Sequence, residues 1–264
     1  MNIIKVARFV KNPRKYIQYT ANVMAKKKIE NQKFVPITDT KESDIFIAGY
    51  PKSGNTWMQN LVAGLLYGID PVFLPDRLTQ ELIPDVHGKQ YYKQFLDFTC
   101  FKTHNLPQPE YRRVIHLVRD GRDAMVSYYN MNKANGKNYS FEEMVVDGKG
   151  IFPSKWHKHC LAWTDNPYCS DLLVVRYEDL IAKPLVEMQR VCDFIGIERP
   201  LALIKKVVDG NVFEQMKRKE KKFGWNNEQW DKKKNFIRKG KLEATKRKCQ
   251  RSYCHFSIKK PRRH

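Results

Sequence analysis

Short apolar segments alternate with amphipathic helical segments from residue 44 onward, and this alternation constrains the fold more than any other feature of the chain. The expected strands are 44–49, 98–104, 114–118 and 172–176. Apolar residues recur every three or four positions in the expected helices, which are 56–67, 123–131 and 184–195. Such alternation predicts a three-layer α/β fold, in which a central parallel sheet is covered by helices on both faces. The strands 114–118 and 172–176 are nearly all apolar, as strands covered on both faces should be.

Length and composition agree with a globular protein. The chain has 264 residues, 42% of them hydrophobic, which can supply a real core. No apolar run approaches the roughly 20 residues of a spanning helix, and the N-terminus lacks the apolar stretch of a secretory signal, so we expect a cytoplasmic protein. We divide the chain into a basic lead-in (1–42), an α/β domain (43–240) and a basic C-terminal tail (241–264).

The cysteines indicate neither a disulfide framework nor a zinc ribbon. All six are scattered, with no C-x-x-C pair, so reduced thiols are the simpler interpretation. The cluster of His157, His159 and Cys160 has no second cluster to complete a ligand set. We therefore predict no metal site.

The net charge of +21 is unevenly distributed. Residues 216–264 hold 19 Lys and Arg against 4 Asp and Glu, whereas the rest of the chain holds 30 against 24. This excess attracts phosphate, sulfate, nucleic acid or an anionic lipid surface without distinguishing them. A solvated basic tail explains residues 241–264 equally well.

The loop between the first expected strand and helix reads AGYPKSGNTW over 48–57. A turn there points several backbone N–H groups and the positive end of the helix at one place, which suits a phosphate. Gly49 and Gly54 match the two glycines of a nucleotide-binding P-loop. However, the lysine comes early, as Lys52, and Asn55 follows the second glycine. This departure argues against an ordinary ATPase or kinase.

Lys102 and His104 are two residues apart in the expected strand 98–104, so their side chains share one face. A histidine can take a proton near neutral pH, and a nearby lysine can stabilise negative charge on a group in transfer. Taken alone the pair is weak evidence, because a histidine at a strand end is often structural. His116, in the middle of an aliphatic strand, is interpreted as a core residue.

Three further segments carry side chains that suit a phosphorylated nucleotide. Arg119 ends the third expected strand and can grip a phosphate with two parallel hydrogen bonds, while Ser127 can add a hydroxyl. Tyr177 follows the fourth strand and can stack on a base or hydrogen-bond to it. A basic turn that could clamp a second phosphate is formed by Arg238, Lys239 and Gly240.

Most of these groups follow the C-terminal ends of expected parallel strands. The loop 50–56, the Lys102 and His104 pair, Arg119 and Tyr177 all do so. Open α/β sheets bind ligands at that edge. The sequence therefore predicts one anion-binding site there, with an imidazole facing it.

These strings together resemble the sulfotransferases that use 3′-phosphoadenosine 5′-phosphosulfate (PAPS), particularly the soluble cytosolic type. The resemblance spans roughly 44–240 and rests on five motifs in family order: YPKSGxTW, KTH, RDGRDxxxS, YED and RKG. It implies a P-loop-like phosphosulfate-binding loop formed by Lys52, Ser53, Gly54, Asn55 and Thr56. It implies that the 3′-phosphate is gripped by Arg119, Ser127, Arg238, Lys239 and Gly240. It also implies an adenine pocket lined by Trp57, Tyr177 and Phe213.

The resemblance further implies an in-line transfer without a metal. His104 would be the general base that takes a proton from an acceptor hydroxyl or amine as it attacks sulfur. Lys52 and Lys102 would offset charge on the bridging and sulfuryl oxygens. The sequence departs from the family in three places: Asn55 replaces a threonine, Val212 replaces a serine that contacts the cofactor, and the chain after Gly240 is unlike the family.

Two other functions remain open at this point. An ATP-using P-loop phosphotransferase would need an acidic Mg²⁺ ligand and a correctly placed lysine. A non-enzymatic binder of nucleic acid or anionic surfaces could act through the basic tail, with steep salt dependence. Nucleic acid is not our expected partner, because binding to it leaves the residues at the strand ends unexplained. Weak contact with a membrane surface agrees with the positive charge. No feature of the sequence indicates an oligomeric state.

The acceptor is not determined by the sequence. Apolar residues either frame a pocket for a phenol, sterol or lipid alcohol or belong to the core, and they are Phe73, Leu74, Leu78, Leu82, Ile83, Tyr91, Tyr92, Phe141, Phe152 and Trp156. The positive charge would equally suit an anionic glycan.

Overall fold

The computed structural model describes residues 34–224, together with Thr20, Val23 and Met24. Most of the predicted lead-in and the whole predicted tail lie outside these residues. So does the predicted phosphate clamp, Arg238, Lys239 and Gly240.

Strands and helices alternate over the described region. The strands are β1 (Phe34–Pro36), β2 (Ile45–Gly49), β3 (Tyr91–Lys93), β4 (Cys100–Thr103), β5 (Arg113–Val118) and β6 (Asp171–Arg176). The helices are α1 (Asn55–Tyr67), α2 (Asp76–Leu82), α3 (Gly121–Ala134), α4 (Trp156–Asp165), α5 (Tyr177–Ala182), α6 (Pro184–Ile195), α7 (Leu201–Gly210) and α8 (Phe213–Phe223). A 3₁₀ turn lies at Pro71–Phe73 and a π-helical turn at Glu143–Asp147.

The central sheet is parallel, in the order β4-β2-β5-β6, as the alternating pattern predicts. Ile47 of β2 lies opposite Lys102 of β4 and Ile115 of β5, which fixes the register of these three neighbouring strands. Because the strands run the same way, their C-terminal ends meet at one edge. A separate antiparallel ribbon pairs β1 with β3.

Two hydrophobic clusters cover the two faces of this sheet. Ile45 and Ile47 pack into one cluster with buried residues of α1, α6 and α7. Phe46 and Ala48, which alternate with them along β2, pack on the other face with Tyr111 and with Trp163 of α4. The alternation of the strand therefore feeds two cores, which confirms the predicted three-layer α/β fold.

The structure corrects two details of the sequence prediction. Helix α3 begins at Gly121 rather than at Asp123, because the carboxylate of Asp120 is the N-cap and accepts the Arg122 N–H at 2.8 Å. Strand β6 was expected to be covered on both faces, but it lies at the edge of the described sheet, and Val174 is 43% exposed. Apolar composition does not distinguish an edge strand from an inner one.

Among the residues described, no helix is both long and apolar enough to cross a membrane.

Candidate functional site

The loop between β2 and α1 has an unusual backbone. Gly54, the N-cap of α1, has a φ of 101°. Lys52 has a φ of 71°, a left-handed value that residues other than glycine rarely adopt. The Ser53 N–H donates to the Tyr50 carbonyl at 3.0 Å, which closes the turn. A Cβ added at Gly54 would lie 2.7 Å from Tyr177 Cδ2, so the turn needs a glycine for space as well as for conformation.

The first turn of α1 has no side chain that would replace or repel an anion. No side chain caps it, and its first turn contains no acidic residue. Ser53 is fully buried, and its hydroxyl has no hydrogen-bond partner among the described residues. An uncapped N-terminus with a buried, unpartnered hydroxyl is what a bound phosphate or sulfate would satisfy.

Asn55 holds the loop from its inner side. Its Nδ2 donates to the Tyr50 carbonyl at 2.9 Å and to the Gly49 carbonyl at 3.3 Å. A Cβ on Gly49 would lie only 2.4 Å from Asn55 Oδ1, so the asparagine fits because residue 49 is glycine. The departure at Asn55 is therefore accompanied by two contacts that hold the loop closed.

His104 lies immediately beyond β4 and contacts the base of the same loop. Its Nδ1 is 2.8 Å from the Gly49 carbonyl, which can only accept, so this contact assigns the proton to Nδ1 and leaves Nε2 as the proton acceptor. Burial lowers the pKa of His104 well below its ordinary value, and the Lys102 ammonium lowers that pKa further. The imidazole is neutral at neutral pH.

Lys102 is bound to a residue that the sequence analysis did not single out. Its Nζ lies 2.6 Å from Asp85 Oδ2, and the two side chains are only 10% and 19% exposed. Burial raises the pKa of Asp85, but the charge and hydrogen bond of Lys102 outweigh burial, so the pKa is lowered overall. The cation predicted to face a transferred group thus has a carboxylate partner.

Arg119 links the loop to the ends of β5 and β6. Its Nη1 donates to the Lys52 carbonyl at 2.9 Å, and its guanidinium carbon lies 4.3 Å from the centre of the Tyr177 ring. Tyr177 in turn meets Trp57 edge to face, with ring centres 5.8 Å apart. The Arg119 Nε is buried without a partner among the described residues, so one donor of the guanidinium is available to a ligand.

Three more predicted cofactor residues lie within the described region: Thr56, in the first turn of α1, whose carbonyl accepts the Asn60 Nδ2 at 2.9 Å, Ser127 and Phe213. Ser127 is half-buried in the second turn of α3. Phe213 is the first residue of α8 and is half-buried. Among the described residues, the rings of Trp57 and Tyr177 contact each other and not the ring of Phe213.

A second histidine, His87, stacks on His104. The two ring centres are 5.8 Å apart and the planes differ by 11°. His87 Nε2 accepts the backbone N–H of His104 at 3.1 Å, and Phe152 meets the His87 ring edge to face at 5.2 Å. The sequence offered one signal for this residue, since Asp85 and His87 directly follow the apolar run 82–84, but nothing that linked it to His104.

The candidate acceptor residues divide between core and surface. Leu74, Leu82, Ile83 and Tyr92 are buried in the two cores, whereas Phe73 and Phe152 are exposed. Phe152 is the exposed member in contact with the histidine pair.

The predicted core residue His116 is buried, as expected. The three residues considered as metal ligands do not converge: His159 is fully buried between Tyr50, His116 and Trp163, while His157 is exposed on the same helix. Within the described part of the chain, no group of three or more His, Cys, Asp or Glu is placed to hold a metal ion.

Comparison with known proteins identifies the family. The model of the sulfotransferase domain family matches residues 42–251. The chain belongs to the sulfotransferase domain family. This match confirms the resemblance to the PAPS-dependent sulfotransferases.

Curated sulfotransferases are distant relatives over much of the chain. Sulfotransferase 1A1 of Rattus norvegicus is 29% identical over 196 residues, covering 66% of this chain and 67% of that protein. Sulfotransferase 1C2 of Homo sapiens is 25% identical over 210 residues, covering 72% and 71%. Cytosolic sulfotransferase 1 of Danio rerio is 26% identical over 224 residues, covering 71% of each chain.

Solved structures share the fold at lower identity. Retinol dehydratase in complex with androsterone and the inactive cofactor PAP superposes with a TM-score of 0.60 at 18% identity, covering 79% of this chain and 76% of that one. Mouse sulfotransferase SULT7A1 complexed with PAP superposes with a TM-score of 0.51 at 19% identity, covering 68% and 67%. These likenesses agree with the sulfotransferase fold.

Proposed function

We propose that this sulfotransferase moves the sulfuryl group of PAPS to a hydroxyl or amine of a small-molecule acceptor, with His104 as the general base. One observation carries the proposal: His104, through the Gly49 carbonyl, and Arg119, through the Lys52 carbonyl, are both hydrogen-bonded to the loop that precedes α1. The proposed proton acceptor and the proposed phosphate-binding cation are thus hydrogen-bonded to the same turn. The names of the structural neighbours, which include PAP, support PAPS as the donor.

The residues present fit such a donor. Ser53 Oγ, Trp57 Nε1 and Arg119 Nε are buried and have no hydrogen-bond partner in the described region. The loop 52–56 would hold the 5′-phosphosulfate, Arg119 and Ser127 the 3′-phosphate, and Trp57 and Tyr177 the adenine, with Phe213 a further proposed contact. Arg238, Lys239 and Gly240, which lie outside the described residues, are proposed to bind the 3′-phosphate as well.

Bound PAPS supplies the sulfuryl group and a stable adenosine bisphosphate leaving group. The chain supplies a neutral His104 whose Nε2 accepts the acceptor's proton while Nδ1–H stays bound to the Gly49 carbonyl. This bond keeps the ring in one tautomer and orientation. Backbone N–H groups at the start of α1, together with Lys52 and Lys102, would stabilise the charge that develops on the transferred group.

The proposal also covers the domain boundaries, the location of the protein and the class of acceptor. The enzyme domain would span 43–240 between a basic lead-in (1–42) and a basic tail (241–264). A cytoplasmic location is proposed by similarity to relatives such as the one named cytosolic sulfotransferase 1. The acceptor would approach His104 past Phe152, whose exposed ring favours an apolar acceptor over an anionic glycan.

The test is differential binding of the desulfonated cofactor. PAP at a hundredfold excess over its Kd should stabilise the fold by about 2.7 kcal/mol and raise Tm by about 5 to 10 °C. ATP and a short oligonucleotide at the same concentration should raise Tm far less. An equal response to ATP, or a response only to the oligonucleotide, would contradict the proposal.

Transfer itself is measured with ³⁵S-labelled PAPS and a panel of phenols, sterols and amines. Labelled product that disappears in His104→Ala is the expected result. Label that is transferred equally well by His104→Ala would remove His104 from the mechanism.

A further inference from the structure

The segment Pro84–His87 runs beside β4 as an additional short edge of the sheet. The Lys102 N–H donates to the Pro84 carbonyl at 2.9 Å, and the Val86 N–H donates to the Lys102 carbonyl at 3.0 Å. Asp85 and Lys102 form a parallel bridge. This pairing brings Asp85 into contact with Lys102 and His87 into contact with His104, and the proposed reaction uses both Lys102 and His104.

His87 makes a specific contact with the general base. Its Nε2 accepts the backbone N–H of His104, and its ring lies nearly parallel to the His104 ring. The backbone N–H of His87 donates to Asp85 Oδ1 at 3.0 Å, so His87 belongs to a turn that the Asp85 side chain closes. The backbone at residue 104 is thus held from one side by His87, while the His104 side chain is held from the other by the Gly49 carbonyl.

We propose that His87 is a positioning residue, which fixes the backbone and ring of His104 so that Nε2 faces the acceptor. The proposal rests on the proposed function, because it assigns His104 the role of base. The backbone N–H at residue 104 lies past the last residue of β4 and has His87 as its acceptor. Without His87, this donor would lose its protein partner and the strand end would lose an anchor.

The charged groups around the pair are consistent with a neutral His87. Asp85 lies on the same segment as His87, and its partner Lys102 lies on β4. The His104 ring stacks on the His87 ring, and Phe152 contacts the His87 ring from another part of the chain. Since Nε2 accepts a hydrogen bond, the proton of neutral His87 is on Nδ1. If His87 were protonated, its Nε2–H would face the backbone N–H of His104, and the hydrogen bond between them would be lost.

Two substitutions separate the contributions of the ring and of the acceptor atom. His87→Phe keeps an aromatic ring but has no acceptor for the His104 N–H. His87→Gln loses the stacked ring but places an amide oxygen within reach of the same N–H. His157→Phe, at an exposed position of α4, is the matched control for a surface histidine.

With ³⁵S-labelled PAPS and 2-naphthol as the probe acceptor, His87→Phe should lower kcat about tenfold, a change on the scale of one lost anchoring hydrogen bond. The KM for PAPS and the Kd for PAP should stay as in the wild type, because the loop and Arg119 are untouched. His87→Gln should recover part of the loss, and His157→Phe should match the wild type. Wild-type kcat in both His87 variants would overturn the inference, as would a loss of PAP affinity parallel to the loss of kcat, which indicates a merely structural role.

A second readout does not require turnover. In ¹H–¹⁵N spectra, the backbone amide of His104 in the wild type should show the slow hydrogen exchange of a bonded N–H, and His87→Phe should speed that exchange. An unchanged exchange rate of the His104 amide in His87→Phe contradicts the inference even if no acceptor is turned over. Failure of the wild type to bind PAP would instead contradict the proposed function, so the two failures are distinguishable.

Discussion

Gly54 and Lys52 show how single residues shape the loop. Both have left-handed backbone conformations, but only Gly54 is also crowded by Tyr177, so only Gly54 has no room for a Cβ. A lysine held at a φ of 71° costs on the order of 1 kcal/mol. The conformation turns the Lys52 carbonyl toward Arg119. Strain of this kind is typical of ligand-binding turns.

His104 and Arg119 should respond oppositely to substitution. His104→Ala removes the proposed proton acceptor, so turnover should fall by at least about 100-fold while PAP binding changes little. Arg119→Ala removes the proposed charge-assisted contact with phosphate, so PAP binding should weaken by about 10- to 150-fold. Calorimetric titration with PAP and single-turnover assays measure the two effects. A reversed pattern, with binding lost in His104→Ala and preserved in Arg119→Ala, would show that the roles are misassigned.

At the scale of elements, neighbours hold the helix and strand that bear the site. Arg199 donates to the Leu65 and Leu66 carbonyls at 2.7 and 3.0 Å, which satisfies the C-terminal end of α1. Trp163 of α4 donates to the Asn105 carbonyl at 3.2 Å and braces the chain just beyond His104. The Pro84–His87 segment holds β4 from its free side.

The Asp85 and Lys102 pair should make stability depend on pH. Because the pKa of Asp85 is lower in the folded state, the pair's stabilisation is fully present above the unfolded pKa of about 3.9 and is lost as pH falls through the folded pKa. Asp85→Asn leaves Lys102 without its carboxylate, so the free energy of unfolding should fall by about 1 to 3 kcal/mol at neutral pH. The difference from the wild type should narrow in acid.

Urea denaturation at several pH values measures this difference. Asp209→Asn is the matched control, since the pair of Lys205 with Asp209 is 64% and 60% exposed and should contribute less than about 1 kcal/mol. Equal losses in the two variants, or a constant difference down to strongly acid pH, would refute the assignment to a buried pair.

At the scale of the whole molecule, the largest core and the candidate site lie in different regions. The largest core lies between β2 and the helices α1, α6 and α7, while the candidate site lies at the C-terminal edge of the sheet. Gly64 brings α1 close to α7, because an added Cβ would lie 2.9 Å from Val207 Cγ1. This contact is about 15 Å along α1 from Gly54, at a rise of about 1.5 Å per residue.

Gly64→Val should therefore lower stability without changing the site. Overpacking against the buried Val207 should reduce the free energy of unfolding by about 1 to 3 kcal/mol. The control is Gly88→Val, where an added Cβ meets no atom within 4 Å and the change should stay within about 0.5 kcal/mol. Denaturation curves and PAP titrations of both variants check this. A weaker PAP affinity in folded Gly64→Val would show that the core and the site are not independent.

The order of strands and helices, the conformation of the loop between β2 and α1 and the family were predictable because they depend on contiguous residues. Apolar periodicity determines whether a segment forms a strand or a helix, and the strings at 50–57 and 102–104 keep their chemistry wherever the sheet places them. Parallel strands bring their C-terminal ends together, so the convergence of His104, Arg119 and the loop also followed from the pattern.

The partners of Lys102 and His104 were decided only by the tertiary structure. Asp85 and His87 each lie 17 residues before the residue they bind, and neither carries a local signal for that pairing. The exposure of β6 has the same origin, since a strand's place in the sheet depends on which strands pair beside it and not on its own composition. Contacts between segments distant in sequence depend on register and packing, which local periodicity does not encode.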